Sequence, residues 1–393
     1  MIRGLAFCTI RCRELVPFVC GLQVFAWWNP KKERRRVWSY EEMKKRRWTC
    51  IDILKCLAAI AVVEIHKPLE IQRGAEVLVF CRFAVPVFFI ITGFFYPETV
   101  RKKRQWRQLG KILTITIGAN LFYLLWKILL ALEAGKNIKE ALLARFEERV
   151  PEDFILWNFS PLSPHLWYLQ ALLYVLVIAM VVEGLGLRKL AYLAVPLLLA
   201  GNLIRGNYSL LFFGKEECHI YYARNFLYCG LPFFWMGCWF GERKEMLLKA
   251  LDQKKMLLLL CGIPLSWKMA LMERSWLQGQ HALGTQEEYA GTIFLAVCIF
   301  LLFVGWQNFY TENLLTRALA KVGKEYSMLI YVLHYAVLQA LSRGLKGRKT
   351  LLAKGYEQYG MMLVFGITVL LVAAYVFARE KMRETSRAER PGN

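Results

Sequence analysis

The sequence contains no H-E-x-x-H, no phosphate-cradling G-x-x-x-x-G-K, no G-x-S-x-G and no dinucleotide-binding glycine fingerprint. Zinc hydrolysis, nucleotide hydrolysis and nucleophile-elbow chemistry therefore have no positive support. A C-x-x-C pair is also missing. The eleven cysteines are an odd number, and Cys56, Cys81, Cys229, Cys238, Cys261 and Cys298 lie within apolar segments. They read as small buried hydrophobes rather than disulfide partners or metal ligands, and no metal and no permanently bound cofactor is expected. Internal repeats, low-complexity tracts and a linker to a second domain are lacking too, so the chain should form one domain.

What is present is apolar. Hydrophobic residues make up 57% of the 393, and mean hydropathy is +0.33. Most of the chain should lie in lipid, as an all-α polytopic bundle of about ten transmembrane helices. The expected spans are 51–67, 77–97, 109–132, 165–183, 189–205, 225–241, 255–272, 289–309, 326–343 and 359–378. Helices are required because only helices or closed barrels satisfy the backbone in lipid, and no segment alternates with period two. The net charge of +22 would suit a nucleic-acid binder. Its distribution instead follows membrane topology: with the N-terminus inside, cytoplasmic segments hold roughly twice the Lys and Arg of the external loops. A multi-pass protein of the cell membrane with both termini cytoplasmic is expected, with the bilayer as a partner and no nucleic acid.

Residues 1–50 form a basic lead-in. Leu15–Trp28 is too short to span and is followed by basic Lys31–Arg36 without a cleavage site, so Met43 is the more natural start. Residues 51–379 form the membrane domain, and 380–393 a charged cytoplasmic tail expected to lack fixed structure. In the longest external loop, Asn137-Ile-Lys-Glu140 should start an amphipathic interfacial helix. Glu147, Glu148, Glu152 and Asp153 follow as an acidic cluster suited to a solvated face.

Charge recurs in the first two spans, where the sequence otherwise avoids it: Asp52, Lys55, Glu64, His66 and Arg82. An ionisable group inside a bilayer costs roughly 2.5–3.5 kcal/mol on insertion scales and is functional by default. Lys55 and His66 are eleven residues apart, which puts them on one helix face about 16 Å apart along the axis. Imidazole can take a proton from an alcohol near neutral pH. Arg82 should share the level of His66 and stabilise an oxyanion, or else pair structurally with Glu64. Asp52 should pair with Lys55 at i, i+3. Thr92 and Gly93, with Pro86, either loosen the second helix or serve small-residue packing. From the residues alone, catalysis and a charged transport pathway both remain open.

The Lys55-x(10)-His66 spacing and the block Arg82-Phe-Ala-Val-Pro-Val-Phe-Phe-Ile-Ile-Thr-Gly93 resemble the membrane-embedded acyltransferase-3 family. His165-Leu-Trp-Tyr-Leu169 and Ser327-Met-Leu-Ile-Tyr-Val-Leu-His334 continue the likeness to about Arg379. Lys55 stands where the family usually has arginine, and Thr92 where it usually has serine. Lysine also appears in members resembling the membrane half of vancomycin-resistance serine racemases, which sustains a transporter alternative, for example of an amino acid. The resemblance implies an O-acyltransferase, with cytosolic acyl-CoA (acetyl-CoA first among them) as donor. It implies an extracytoplasmic sugar or cell-envelope glycan as acceptor. His66 and Arg82 would be catalytic; Lys55, Thr92 and Gly93 would lie on the donor's path. His334 matches a family position without a role assigned to it.

Overall fold

Helix α1, Thr49–His66, is the axis of the bundle. It is apolar on every side, and a helix without a polar face is stable only when surrounded. Cys50, Ile51, Ile53, Leu54, Ala58 and Val63 are all buried, and so are Asp52 and Glu64. In this computed structural model, which describes residues 47–147, 151–214 and 219–388, α1 is ringed by six later helices. They are α2 (Gly74–Cys81), α3 (Ala84–Arg101), α11 (Ala290–Trp306), α12 (Leu314–Lys321), α13 (Ser327–Leu345) and α14 (Leu351–Ala388). Farther out lie α4 (Gln105–Glu133), α7 (Trp167–Gly184), α8 (Arg188–Arg205), α9 (Leu231–Glu242) and α10 (Gln253–Gly279). The short helices α5 (Ile138–Glu147) and α6 (Pro151–Trp157) sit between α4 and α7. No strand occurs among the described residues.

Each of the ten expected spans falls on helix, but among the described residues six helical segments are long and apolar enough to cross a membrane: Gly74–Arg101, Gln105–Glu133, Pro164–Gly184, Gln253–Gly279, Leu314–Leu345 and Leu351–Met382. The others fall short for visible reasons. Helix α1 carries Asp52, Lys55 and Glu64, α8 carries Arg188, Lys189 and Arg205, and α11 has 17 residues. Helix α9 has only 12 and is preceded by the π-helical turn Phe226–Gly230. Leu121, Leu125, Leu193, Leu197, Leu258, Leu265, Leu370 and Phe377 are exposed on the outer helices, as lipid-facing residues must be.

The second span is not continuous. Helix α2 ends at Cys81, and α3 begins at Ala84. Pro86 supplies the reason: it has no N–H to give the Arg82 carbonyl, and its ring crowds that carbonyl. The break therefore falls on Arg82 and Phe83, while Pro86 sits within the first turn of α3, where no intrahelical donor is needed. Pro86 acts by starting a helix rather than by loosening one.

Helices α3 and α9 make the closest contact in the bundle. A β-carbon on Gly93 would fall on the Phe234 carbonyl oxygen, one on Gly237 on that of Ile90, and one on Gly241 on that of Phe94. Backbone meets backbone over successive turns, the small-residue packing that membrane helices use. Gly93 thus serves a helix contact. Gly323 likewise lies against the Asp52 carbonyl, seating the turn Val322–Tyr326 on α1.

The loop helix expected from Asn137 forms as Ile138–Glu147, with Asn137 Oδ1 accepting the Lys139 N–H at 2.9 Å. Residues 1–46, including the short apolar stretch and Met43, lie outside the described residues, as do the acidic side chains of Glu147, Glu148, Glu152 and Asp153. The charged C-terminal stretch departs from expectation. Helix α14 continues through Glu380 as far as Ala388, with a kink at Tyr359. Residues such as Glu380, Lys381 and Arg383 are good helix formers, and a helix already nucleated in lipid extends at little cost.

Candidate active site

His66 ends α1, and the chain turns back through residues 67–73 to α2. Glu64 holds that turn: its Oε1 accepts the Leu69 N–H at 3.0 Å. It is buried and serves the backbone, so it is not the partner of Arg82. The structural pair with Glu64 that the sequence left as the alternative does not form, and the reason lies 205 residues away. Arg82 Nη1 donates to Glu287 Oε1 at 2.8 Å, and Arg224 grips the same carboxylate with two bonds of 2.7 Å, from Nε to Oε2 and from Nη2 to Oε1. Arg82 and Glu287 are both buried. The loop carrying Glu287 is pinned by Asn207, whose Oδ1 accepts the Glu287 N–H at 3.1 Å and whose Nδ2 donates to the Glu288 carbonyl at 2.6 Å. Asn158 performs the same service for Arg224, donating to its carbonyl and accepting the Phe226 N–H at 2.7 Å.

A second cluster adjoins the first. Three of the five histidines converge, with ring centroids 5.2 Å apart for His66 and His334, 5.2 Å for His165 and His334, and 6.2 Å for His66 and His165. Tyr335 stacks on His165 at 5.0 Å and edges His66 at 5.5 Å. His165 is fixed on both sides: its Nδ1 meets the Ser163 hydroxyl at 2.8 Å and its Nε2 faces the Val332 carbonyl at 3.4 Å. The Tyr331 hydroxyl donates to the His165 carbonyl. Trp167 and Tyr168 are buried as well, with Tyr168 packed on Phe89 at 4.9 Å. They follow His165 inward because α7 is covered over its first three turns.

The two clusters share one small cavity of about 30 Å³, bordered by His66, Arg82, His165, Arg224, Glu287 and Glu288 among others. His66 and Arg82 therefore do meet, as their positions in sequence require. Glu288 is the group whose state is least ordinary. Burial pushes its carboxyl up to about 8, against a single hydrogen bond from Thr292 at 3.0 Å that pulls the other way. Glu287 beside it goes down: burial raises it, but the Arg224 and Arg82 guanidinium ions outweigh burial. At neutral pH the four side chains Arg82, Arg224, Glu287 and Glu288 thus carry two positive charges and one negative.

This arrangement has a pH signature. A carboxyl raised from 4.5 to about 8 on folding contributes stability that is complete below its unfolded value and is lost as pH rises through about 8. The melting temperature should fall as pH is raised from about 5 to about 9, and Glu288→Gln should flatten that fall. Thermal melts of both proteins across this range provide the check. Identical pH profiles would show that Glu288 is ionised in the folded protein.

Lys55 lies at the opposite end of α1. Its Nζ is 3.1 Å from Asp52 Oδ1, the expected pair, and Arg47 Nε reaches the other oxygen at the same distance. The ammonium stands 5.9 Å from the centre of the Phe95 ring. The Thr92 hydroxyl donates to the Phe88 carbonyl at 2.9 Å. His219 and His281 remain exposed, away from the cavity. No group of three or more His, Cys, Asp or Glu among the described residues has metal-site geometry.

The sequence blocks that meet here, from the ends of α1, α2 and α7 and the middle of α13, are those of one family. Residues 48–379 match its family model, described as an acyltransferase domain. The chain belongs to the acyltransferase-3 family. Neither a curated protein nor a solved structure matches it. It is an acyltransferase and, with six helices apolar enough to span, a membrane protein. For this acyltransferase, sequence reasoning missed Arg224, Glu287 and Glu288. Each stands immediately before an apolar segment, where a charge passes for a topological flank.

Proposed function

We propose that the protein is an O-acyltransferase that moves an acyl group, acetyl in the simplest case, from cytosolic acyl-CoA to a hydroxyl of an extracytoplasmic sugar or cell-envelope glycan. The observation that carries this reading is the position of His66 at the edge of a cavity that also holds Arg82 and Arg224. The acceptor oxygen attacks the thioester carbonyl while His66 takes the hydroxyl proton. The tetrahedral oxyanion is met by Arg82, which has N–H groups beyond the one given to Glu287. Collapse breaks the C–S bond, and the proton on His66 passes to the thiolate, releasing CoA. Lys55 lies about three turns of helix away, at the end where the phosphates of CoA would arrive. The phosphates of CoA are too polar to cross, so only the thioester end of the donor reaches His66. The acidic residues at the cavity suit a hydroxyl-rich acceptor, because carboxyl groups hydrogen-bond sugar hydroxyls.

Purified protein in lipid nanodiscs should release free CoA from acetyl-CoA, faster with glycan acceptors than without. Absence of release with any acceptor, together with serine flux in proteoliposomes, would replace the enzyme by a transporter.

A further inference from the structure

The reaction requires His66 to present a bare nitrogen to the cavity, and nothing so far explains why it should. A neutral imidazole has one N–H, and if that hydrogen faced the substrate there would be no base. The neighbouring ring of His334 bears on this choice. His334 is fully buried, and its Nδ1 lies 3.0 Å from the Ile330 carbonyl and 2.8 Å from the Tyr331 carbonyl, one turn back on its own helix. Carbonyl oxygens only accept, so Nδ1 carries the hydrogen. Nε2 is then a lone pair, and it has no hydrogen-bond partner while fully enclosed. A buried acceptor left unpaired costs stability, which makes the nearest available donor significant.

Four rings are close enough to consider. His165 is committed to Ser163 and the Val332 carbonyl, the Tyr331 hydroxyl is given to the His165 carbonyl, and Tyr335 is farther, at 6.4 Å between centroids. His66 is 5.2 Å away, a separation at which two ring nitrogens on the line between the centroids lie about 2.9 Å apart, within hydrogen-bond reach. His66 borders the cavity and His334 does not, so His334 stands behind His66 as seen from the substrate.

We propose that His334 is a positioning residue whose bare Nε2 accepts the N–H of His66, holding the other nitrogen of His66 towards the cavity as the proton acceptor. The inference rests on the acyl-transfer reading above. During transfer the hydroxyl proton moves to the cavity-facing nitrogen of His66, and the other N–H of His66 stays hydrogen-bonded to His334 Nε2. When the C–S bond breaks, that proton passes to the departing thiolate, and His334 ends as it began.

Two variants separate this role from a structural one. Asn places an amide nitrogen where Nδ1 was and keeps the carbonyl contacts, but it has nothing at the position of Nε2. Gln places an acceptor oxygen there. His334→Asn should lower kcat for CoA release about 100-fold, with the KM of both substrates unchanged, whereas His334→Gln should stay within about tenfold of wild type. Equal kcat in both variants, or a change confined to KM, would overturn the role. A direct readout needs no substrate. In ¹⁵N-histidine protein, a nitrogen–nitrogen coupling across the hydrogen bond should link His334 Nε2 to His66, and it should vanish in His66→Ala. A His334 that carries its proton on Nε2 would refute the proposal. Wild-type protein that releases no CoA yet shows the coupling would remove the acyl-transfer reading and leave the hydrogen bond standing.

Discussion

Substituting alanine for His66 is expected to lower acyl transfer by about 10²–10⁴-fold, the range general-base removal covers, while the protein still folds. The expectation of a sound fold has a specific basis. The ring lies at the edge of a cavity, and the one hydrogen bond proposed for it is that to His334 Nε2, a single bond in a bundle held mainly elsewhere. The bundle around it is held by α1 contacts farther along the helix and by the Arg82–Glu287–Arg224 bridge. CoA release and thermal melting should therefore separate, activity falling while the melt shifts little. Full activity in a well-folded variant would end the assignment of His66 as the base.

Glu287 should show the reverse pattern. It is the only carboxylate that Arg82 and Arg224 grip among the described residues, and all three side chains are largely enclosed. Glu287→Ala would leave two guanidinium ions facing each other without a counterion. Breaking a buried pair by removing one partner costs about 3–5 kcal/mol. The variant should unfold at a markedly lower temperature, and Arg224→Met in the same background should recover part of the loss because it removes one of the stranded charges. A Glu287→Ala protein that melts with wild type would mean that water reaches the cluster freely. The double variant also tests coupling, since effects of residues in one network do not add.

Much of this site was legible in the sequence. The eleven-residue step from Lys55 to His66 already places a cation and an imidazole on one face. The short return to Arg82 puts a guanidinium beside that imidazole, and the Asp52–Lys55 pair follows from i, i+3 spacing. What could not be read is the partner of Arg82. Glu64 is eighteen residues away and Glu287 is 205, and only the packing of α11 against α1 and α3 decides between them. Glu64 also turned out to have a local use, in the backbone of the turn after α1, which no charge-pairing rule anticipates. The histidine cluster was illegible for a similar reason. His165 and His334 come from separate helices, each with a satisfactory local explanation, and their convergence on His66 is a property of the assembled bundle. Pro86 was readable in principle, because the residue four before a helical proline loses its donor, and that residue is Arg82.

The glycine contacts between α3 and α9 have a mechanical side. Helices whose backbones touch have no cushion of side chains to absorb sliding, so the pair behaves as a strut. Glu98 and Lys244, 3.3 Å apart, bolt one end of it, and Arg82 stands just beyond the other. Glu287, by contrast, hangs on a loop before α11. The ion pair between them joins a strut to a loop held by hydrogen bonds to Asn207. A cavity of this size must widen before the proposed sugar acceptor can enter, and those hydrogen bonds are what has to give.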